Sequence, residues 1–122
     1  MVDQVIRERL ADSKAASPQR ACFLLQVRPE MLDSYLAEHE QVWGQMLEAL
    51  SACGWRHYSL FVRPDDGLVV GYFETAPGTT TAQAMAAMGE LDIDRRWQAS
   101  MAPYFATGGG TPHVLSQYFY LP

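Results

Sequence analysis

A chain of 122 residues has room for one compact domain, and a 48% hydrophobic share is enough to bury a core. A net charge of −5 argues against a nucleic-acid surface or an anionic membrane as partner. No apolar run approaches a membrane span, no secretory signal core is visible, and two cysteines without CxxC or Cys/His spacing are expected as free thiols. The chain reads as a soluble cytoplasmic protein.

Residues 1–19 form a polar lead-in, with Val2, Ile6 and Leu10 on one stripe and a linker-like Ala11-Asp-Ser-Lys-Ala-Ala-Ser-Pro18. The expectation is a flexible N-terminal extension, at most loosely helical, ahead of a single domain at residues 20–122. Arg20 to Val27 is short, apolar and aromatic-containing, which predicts a buried first strand.

Pro29 suits a first helical position, and Glu30 is favourable in a first turn. Leu32, Leu36, Trp43, Met46, Leu47 and Leu50 then recur at helical spacing. This predicts one long helix with a buried face, bent at Gly44 and closed by Gly54. Tyr35 and His39 fall on that same face, one turn apart. A helix built only to pack carries Leu or Ala at such positions. Here the stripe carries a phenol and an imidazole, a hydrogen-bonding group beside a proton carrier. Taken alone, a histidine on an apolar stripe is more often a satisfied core residue than a catalyst.

Trp55 to Arg63 has strand composition, with Tyr58, Leu60 and Val62 on one face and His57 on the other. Pro64-Asp-Asp-Gly67 is a strong turn signal, and Leu68 to Glu74 returns as the partner strand. After Ala76-Pro-Gly78, Thr79 to Met88 predicts a small-residue helix in which Met85 and Met88 pack. Asp92 is expected to cap a second helix, Ile93 to Ala102, that carries Trp97 and an Asp92–Arg96 pair. Gly108-Gly-Gly110 predicts a flexible loop. It lacks the following helix and Lys-Ser/Thr of a phosphate cradle. Val114 to Leu121 closes the chain as a strand.

Strand, helix, strand, strand, helices, strand is an α+β order: a ferredoxin-like antiparallel sheet with helices on one face. The strands are apolar on both sides, so the uncovered sheet face is expected to pack on a second copy, giving a homodimer.

Five pieces occur together and in order: Gln26-Val-x-Pro29, Tyr35-x-x-x-His39-x-x-x-Trp43, Gly54-x-x-x-Tyr58, Arg96-Trp97 and Phe119-Tyr-Leu-Pro122. In this set the chain resembles the L-rhamnose mutarotase family, dimeric α+β barrels of small ferredoxin-like subunits, over Arg20 to Pro122. The resemblance implies an isomerase that interconverts the α and β pyranose anomers of L-rhamnose or a similar deoxy sugar. It implies a small monosaccharide as substrate and no metal, nucleotide or redox cofactor. It makes His39 the proton donor and Tyr35, Tyr58 and Trp97 sugar-contacting positions.

Family members carry two adjacent tryptophans where this chain has Trp97-Gln98, so Gln98 brings an amide to the substrate site in place of a stacking surface. Gly44 replaces a proline, the loop before Asp92 is longer, and the Gly108 region is shorter. These departures bear on the sugar rather than on the reaction class.

The chemistry suits these residue types. Anomer exchange needs a proton delivered to the ring oxygen while another leaves the anomeric hydroxyl; the open-chain aldehyde then rotates and recloses. A group with an ordinary pKa of about 6.5 can supply and recover protons at neutral pH. Phenols can hold sugar hydroxyls, and an indole offers an apolar face to C–H groups or a methyl. The second proton carrier is open at this level; water or a tyrosine could serve.

Trp43 shares its stripe with Met46 and Leu50 and is read as packing. His57 and His113 are read as surface, and Asp33, Glu38 and Glu40 as solvated helix charges. Two other functions fit the same architecture: a cofactorless monooxygenase of the dimeric α+β barrel type, and a non-catalytic sugar-binding dimer. Oxygen uptake would mark the first, and binding without accelerated exchange the second.

Overall fold

The computed structural model describes residues 3–122. In the lead-in, Gln4–Ala11 (α1) is helical; the Asp3 side chain caps it by accepting the Val5 N–H at 2.8 Å. It buries no residue, and Val2 of the expected stripe lies outside the described residues.

Alternation in Arg20–Gln26 (β1) sends Ala21 and Phe23 into the core and Cys22 and Leu24 to the opposite face. Trp55–Arg63 (β2) and Leu68–Thr75 (β3) pair antiparallel across the expected turn, with Arg63 opposite Leu68. Gly67 closes that turn at φ +76°, and a Cβ there would run into the Val27 carbonyl, so the position requires glycine. β1 pairs β3 from Arg20 opposite Glu74 to Gln26 opposite Leu68. His113–Val114 (β4) adds to the other edge of β1. The order is β2-β3-β1-β4, all antiparallel, which is the ferredoxin-like α+β sheet expected from the sequence.

Leu32–His39 (α2), Gly44–Ala52 (α3), Thr81–Gly89 (α4) and Asp92–Met101 (α5) pack on one face of this sheet. Between helices and sheet, Val27, Tyr35, Met46, Val69, Met88, Trp97 and Met101 form one core cluster. Ala21, Phe23, Phe73 and Ala84 form a second. The Phe23 ring lies across Gly71 of β3, where an added Cβ would overlap ring atoms. Gly71→Ala is therefore expected to destabilise by about 1–3 kcal/mol. In urea unfolding this reads as a lower midpoint at unchanged slope.

Four sequence expectations need correction. The long helix is broken: Pro29–Met31 is a single 3₁₀ turn, α2 ends at His39, and α3 restarts at Gly44. Trp43 is the N-cap of α3, its carbonyl accepting from the Met46 and Leu47 N–H groups, so Gly44 opens a helix rather than bending one. The break interrupts the stripe, and Leu36, Trp43 and Leu47, expected to be buried, are 41%, 38% and 53% exposed. Gly54 does end α3 in the left-handed region, at φ +91°.

The last strand is shorter than expected. It spans two residues plus the Leu115 N–H bond to the Cys22 carbonyl at 2.8 Å. Tyr118-Phe119-Tyr120-Leu121 is apolar without alternation, and its side chains are exposed. The tail is held instead by side chains: the Arg20 guanidinium lies 3.8 Å from the Tyr120 ring centre and Arg20 Nε donates to Gln117 at 3.4 Å.

The glycine loop is anchored rather than free. The Gln26 N–H donates to the Gly109 carbonyl at 2.9 Å, and the Ala106 N–H donates to the Gln26 carbonyl at 3.0 Å. On α5, Leu91 is the N-cap and Asp92 lies in the first turn, where it pairs with Arg96 at 2.9 Å. Among the described residues no helix is long and apolar enough to cross a membrane.

Candidate active site

Two local features aim side chains into the space between sheet and helices. The first is an irregularity in β2, where the register shifts between Arg56 and Ser59. His57 takes φ +51° there, a conformation that costs an L-residue roughly 1–2 kcal/mol. The bulge turns Tyr58 to the helix side, where its ring packs 4.8 Å from Trp55 and 6.3 Å from Phe23. His57 itself is exposed.

The second is the end of α2. His39 is its last residue, and its Nδ1 lies 3.0 Å from the Tyr35 backbone carbonyl one turn earlier. A carbonyl only accepts, so Nδ1 carries the hydrogen and Nε2 is the nitrogen free to take up and release a proton. The imidazole sits 4.5 Å from the Tyr35 ring and edge-on to Trp97 at 5.7 Å. Trp97 is buried on α5, and Trp43 packs edge-on against it at 5.0 Å. The packing role read for Trp43 is thus exercised on Trp97, from a half-exposed position.

His39, Tyr58, Trp97 and Gln98 line a cavity of about 700 Å³. Phe23, Leu25 and Trp55 form its sheet side, and Met46, Leu47 and Met88 its helix side; Gly110, Thr111 and Pro112 reach it from the anchored loop. The volume falls in the range of small-molecule sites, roughly 300–1,000 Å³. Four of the five residues singled out from sequence are therefore gathered in one place.

Tyr35, the fifth, is not on the lining. It is buried behind His39, with Phe105 at 5.7 Å and Tyr104 at 6.5 Å from its ring. Burial pushes its phenol up to about 12. Although 38% of Tyr58 remains exposed, its hydroxyl end is desolvated. Burial first, then Tyr35 and Asp94, raise its pKa above the ordinary phenol value. Both tyrosines therefore stay protonated at neutral pH and serve as hydrogen-bonding groups rather than bases.

Sequence reasoning passed over Asp94. It lines the cavity and accepts a hydrogen bond from Gln98 Nε2 at 3.3 Å. The signal was available: Asp94 stands three residues before Trp97 and four before Gln98, which puts all three on one side of a helix.

Comparison with known proteins bears on the family and the fold. A family model for L-rhamnose mutarotase matches residues 20–121. The L-rhamnose mutarotase of Bacillus subtilis (strain 168) is 29% identical over 106 residues, covering 84% of this chain and 98% of its own. That of Acidiphilium cryptum is 29% identical over 107 residues, covering 85% and 99%.

Among solved structures, an L-rhamnose mutarotase from Formosa agariphila superposes with a TM-score of 0.70 at 18% identity, over 85% of this chain and 99% of its own. A Nitrosomonas europaea protein assigned to the antibiotic biosynthesis monooxygenases gives 0.59 at 13% identity, over 88% and 95%. At these identities the superpositions speak to the fold alone. The match of the family model across most of the sequence decides the matter: this chain belongs to the L-rhamnose mutarotase family, isomerases that act on a carbohydrate.

Proposed function

We propose that the cavity binds L-rhamnose or a closely similar deoxy sugar and that His39 drives interconversion of its pyranose anomers. The observation that supports this best is the tethered imidazole: Nδ1 is committed to the Tyr35 carbonyl while the ring faces a cavity of sugar-binding size. In its protonated form Nε2 delivers a proton to the ring oxygen as the bond to the anomeric carbon breaks. Recovering that proton after rotation of the aldehyde closes the opposite anomer. Trp97 offers an apolar wall for the sugar's C–H face or methyl group, and Tyr58 and Gln98 offer partners for hydroxyls. Tyr35, behind His39, orients the imidazole through its carbonyl and its ring.

Magnetisation-exchange NMR on the α and β anomers of L-rhamnose tests the reading. The protein should accelerate exchange well above the buffer rate and leave oxygen uptake at the blank level. A rate equal to buffer across rhamnose and other deoxy sugars would remove the proposal. Oxygen consumption with a polyphenol would favour the monooxygenase alternative, and saturable sugar binding without exchange the non-catalytic one.

The working unit in this reading is a homodimer formed through the open sheet face. Leu24, Val70 and Tyr72 lie half-buried there beside a 63% exposed Phe61, and the aromatic tail is exposed as well. An apolar surface of this kind marks an interface. Phe61→Asp is expected to convert a sedimenting species of twice the chain mass into one of single chain mass; a wild type already at single mass would refute the dimer. We place the enzyme in the cytoplasm, which the two unpaired cysteines support.

A further inference from the structure

We propose that Asp94 is the second proton carrier: its carboxylate takes the proton of the anomeric hydroxyl while the His39 imidazolium protonates the ring oxygen. The inference deepens the mutarotase reading above and rests on it.

Three observations carry it. Among the described residues lining the cavity, His39, Tyr58 and Asp94 are the titratable side chains. Tyr58 is held in its protonated form by burial and by its neighbours, which leaves the carboxylate as the acceptor. Asp94 stands one helical turn before Trp97, the Trp97 ring lies 5.7 Å from that of His39, and all three line the same cavity. Finally, Gln98 Nε2 donates to Asp94 Oδ1 at 3.3 Å. A bond of that kind orients the carboxylate.

The groups around Asp94 leave it available. On its own helix Asp92 pairs with Arg96, and Arg95 donates to the Gly89 and Glu90 carbonyls. α3 and α4 present apolar side chains to the cavity, β2 presents Tyr58, and α2 presents His39.

The step balances. The O1–H proton passes to Asp94 as the C1–O5 bond breaks, and its electron pair takes the Nε2 proton of His39. Aldehyde and free hydroxyl result, with both protein groups neutral. After rotation about C1–C2, the hydroxyl returns its proton to Nε2 as O5 attacks C1, and the carbonyl oxygen recovers its proton from Asp94. Nothing is oxidised or reduced.

The test is the exchange rate of the L-rhamnose anomers followed from about pH 4 to about pH 8, where carboxyl and imidazole titrate. Wild type should show a bell, falling on the acid side as the carboxylate protonates and on the alkaline side as the imidazolium is lost. Asp94→Asn should be about 100-fold slower and lack the acid limb, with unchanged circular dichroism. Asp94→Glu should recover part of the rate together with that limb. Should Asp94→Asn fail to fold, Asp94→Ala carries the test, with the same loss of rate and of the acid limb expected. Asp94→Asn or Asp94→Ala at the wild-type rate with its acid limb overturns the role of Asp94 while leaving the mutarotase reading standing. A wild type no faster than buffer overturns that reading itself before any variant is compared.

Discussion

Replacing His39 with alanine is expected to lower the catalysed anomer-exchange rate by about 100-fold or more while leaving the fold in place. The side chain is half-buried at the end of α2, and its single hydrogen bond is to a carbonyl of its own helix. Its removal therefore takes little from the core, whose clusters are built from other residues. What it removes is the proposed proton carrier, an imidazole with one nitrogen fixed and the other free. His39→Gln restores a hydrogen-bonding group without a transferable proton and should rescue sugar affinity but not rate. Exchange NMR read beside a sugar-binding isotherm checks both halves. A His39→Ala protein that still exchanges anomers at the wild-type rate would show that the imidazole is a spectator.

Trp97→Ala is expected to cost about 3–5 kcal/mol of stability, the range for deleting a large buried aromatic. Against a typical total of about 5–15 kcal/mol, this leaves a marginal protein. The indole is buried in the larger core cluster, supports the His39 ring and receives the Trp43 edge. Its loss thus hollows the core and unseats the imidazole together. Trp97→Phe separates the two effects, because a phenyl ring keeps most of the packing but cannot fill the same wall. That variant should lose less stability in urea unfolding and show weaker sugar binding. If Trp97→Ala unfolds at the wild-type midpoint, the indole is not the support described here.

Much of this was legible in the sequence because local signals and tertiary demands agreed. The apolar, aromatic composition of Arg20–Val27, the alternation of Tyr58, Leu60 and Val62, and the Pro-Asp-Asp-Gly turn before the partner strand all point to the observed strands. The placement of Tyr35 and His39 on one helical face needed only the period of a helix, and both rings do meet.

Periodicity failed where it was asked to carry across a break. Residues 40–43 hold a spacing that continues the stripe, yet Gly44 is a poor helix interior residue and a good place to restart. Two short helices can each set their own angle on the sheet, one presenting His39 and the other Met46 to the same cavity. The final strand failed for a different reason. Tyr118 to Leu121 has strand composition, but a strand needs an edge and a buried face, and composition reports neither. Asp94 escaped because a carboxylate in the first turn of a helix is ordinarily there to complement the helix dipole. Only the cavity distinguishes it from Asp92 beside it.

The chain has three histidines, which makes the central claim directly measurable. In ¹⁵N spectra of histidine-labelled protein, neutral His39 should be the tautomer with its hydrogen on Nδ1, and adding L-rhamnose should shift its Nε2 signal with saturation. Signals from His57 and His113, both exposed, should stay where they are. A sugar that saturates while leaving the His39 resonances unmoved, or that shifts one of the other two instead, would contradict proton transfer by His39 in this cavity.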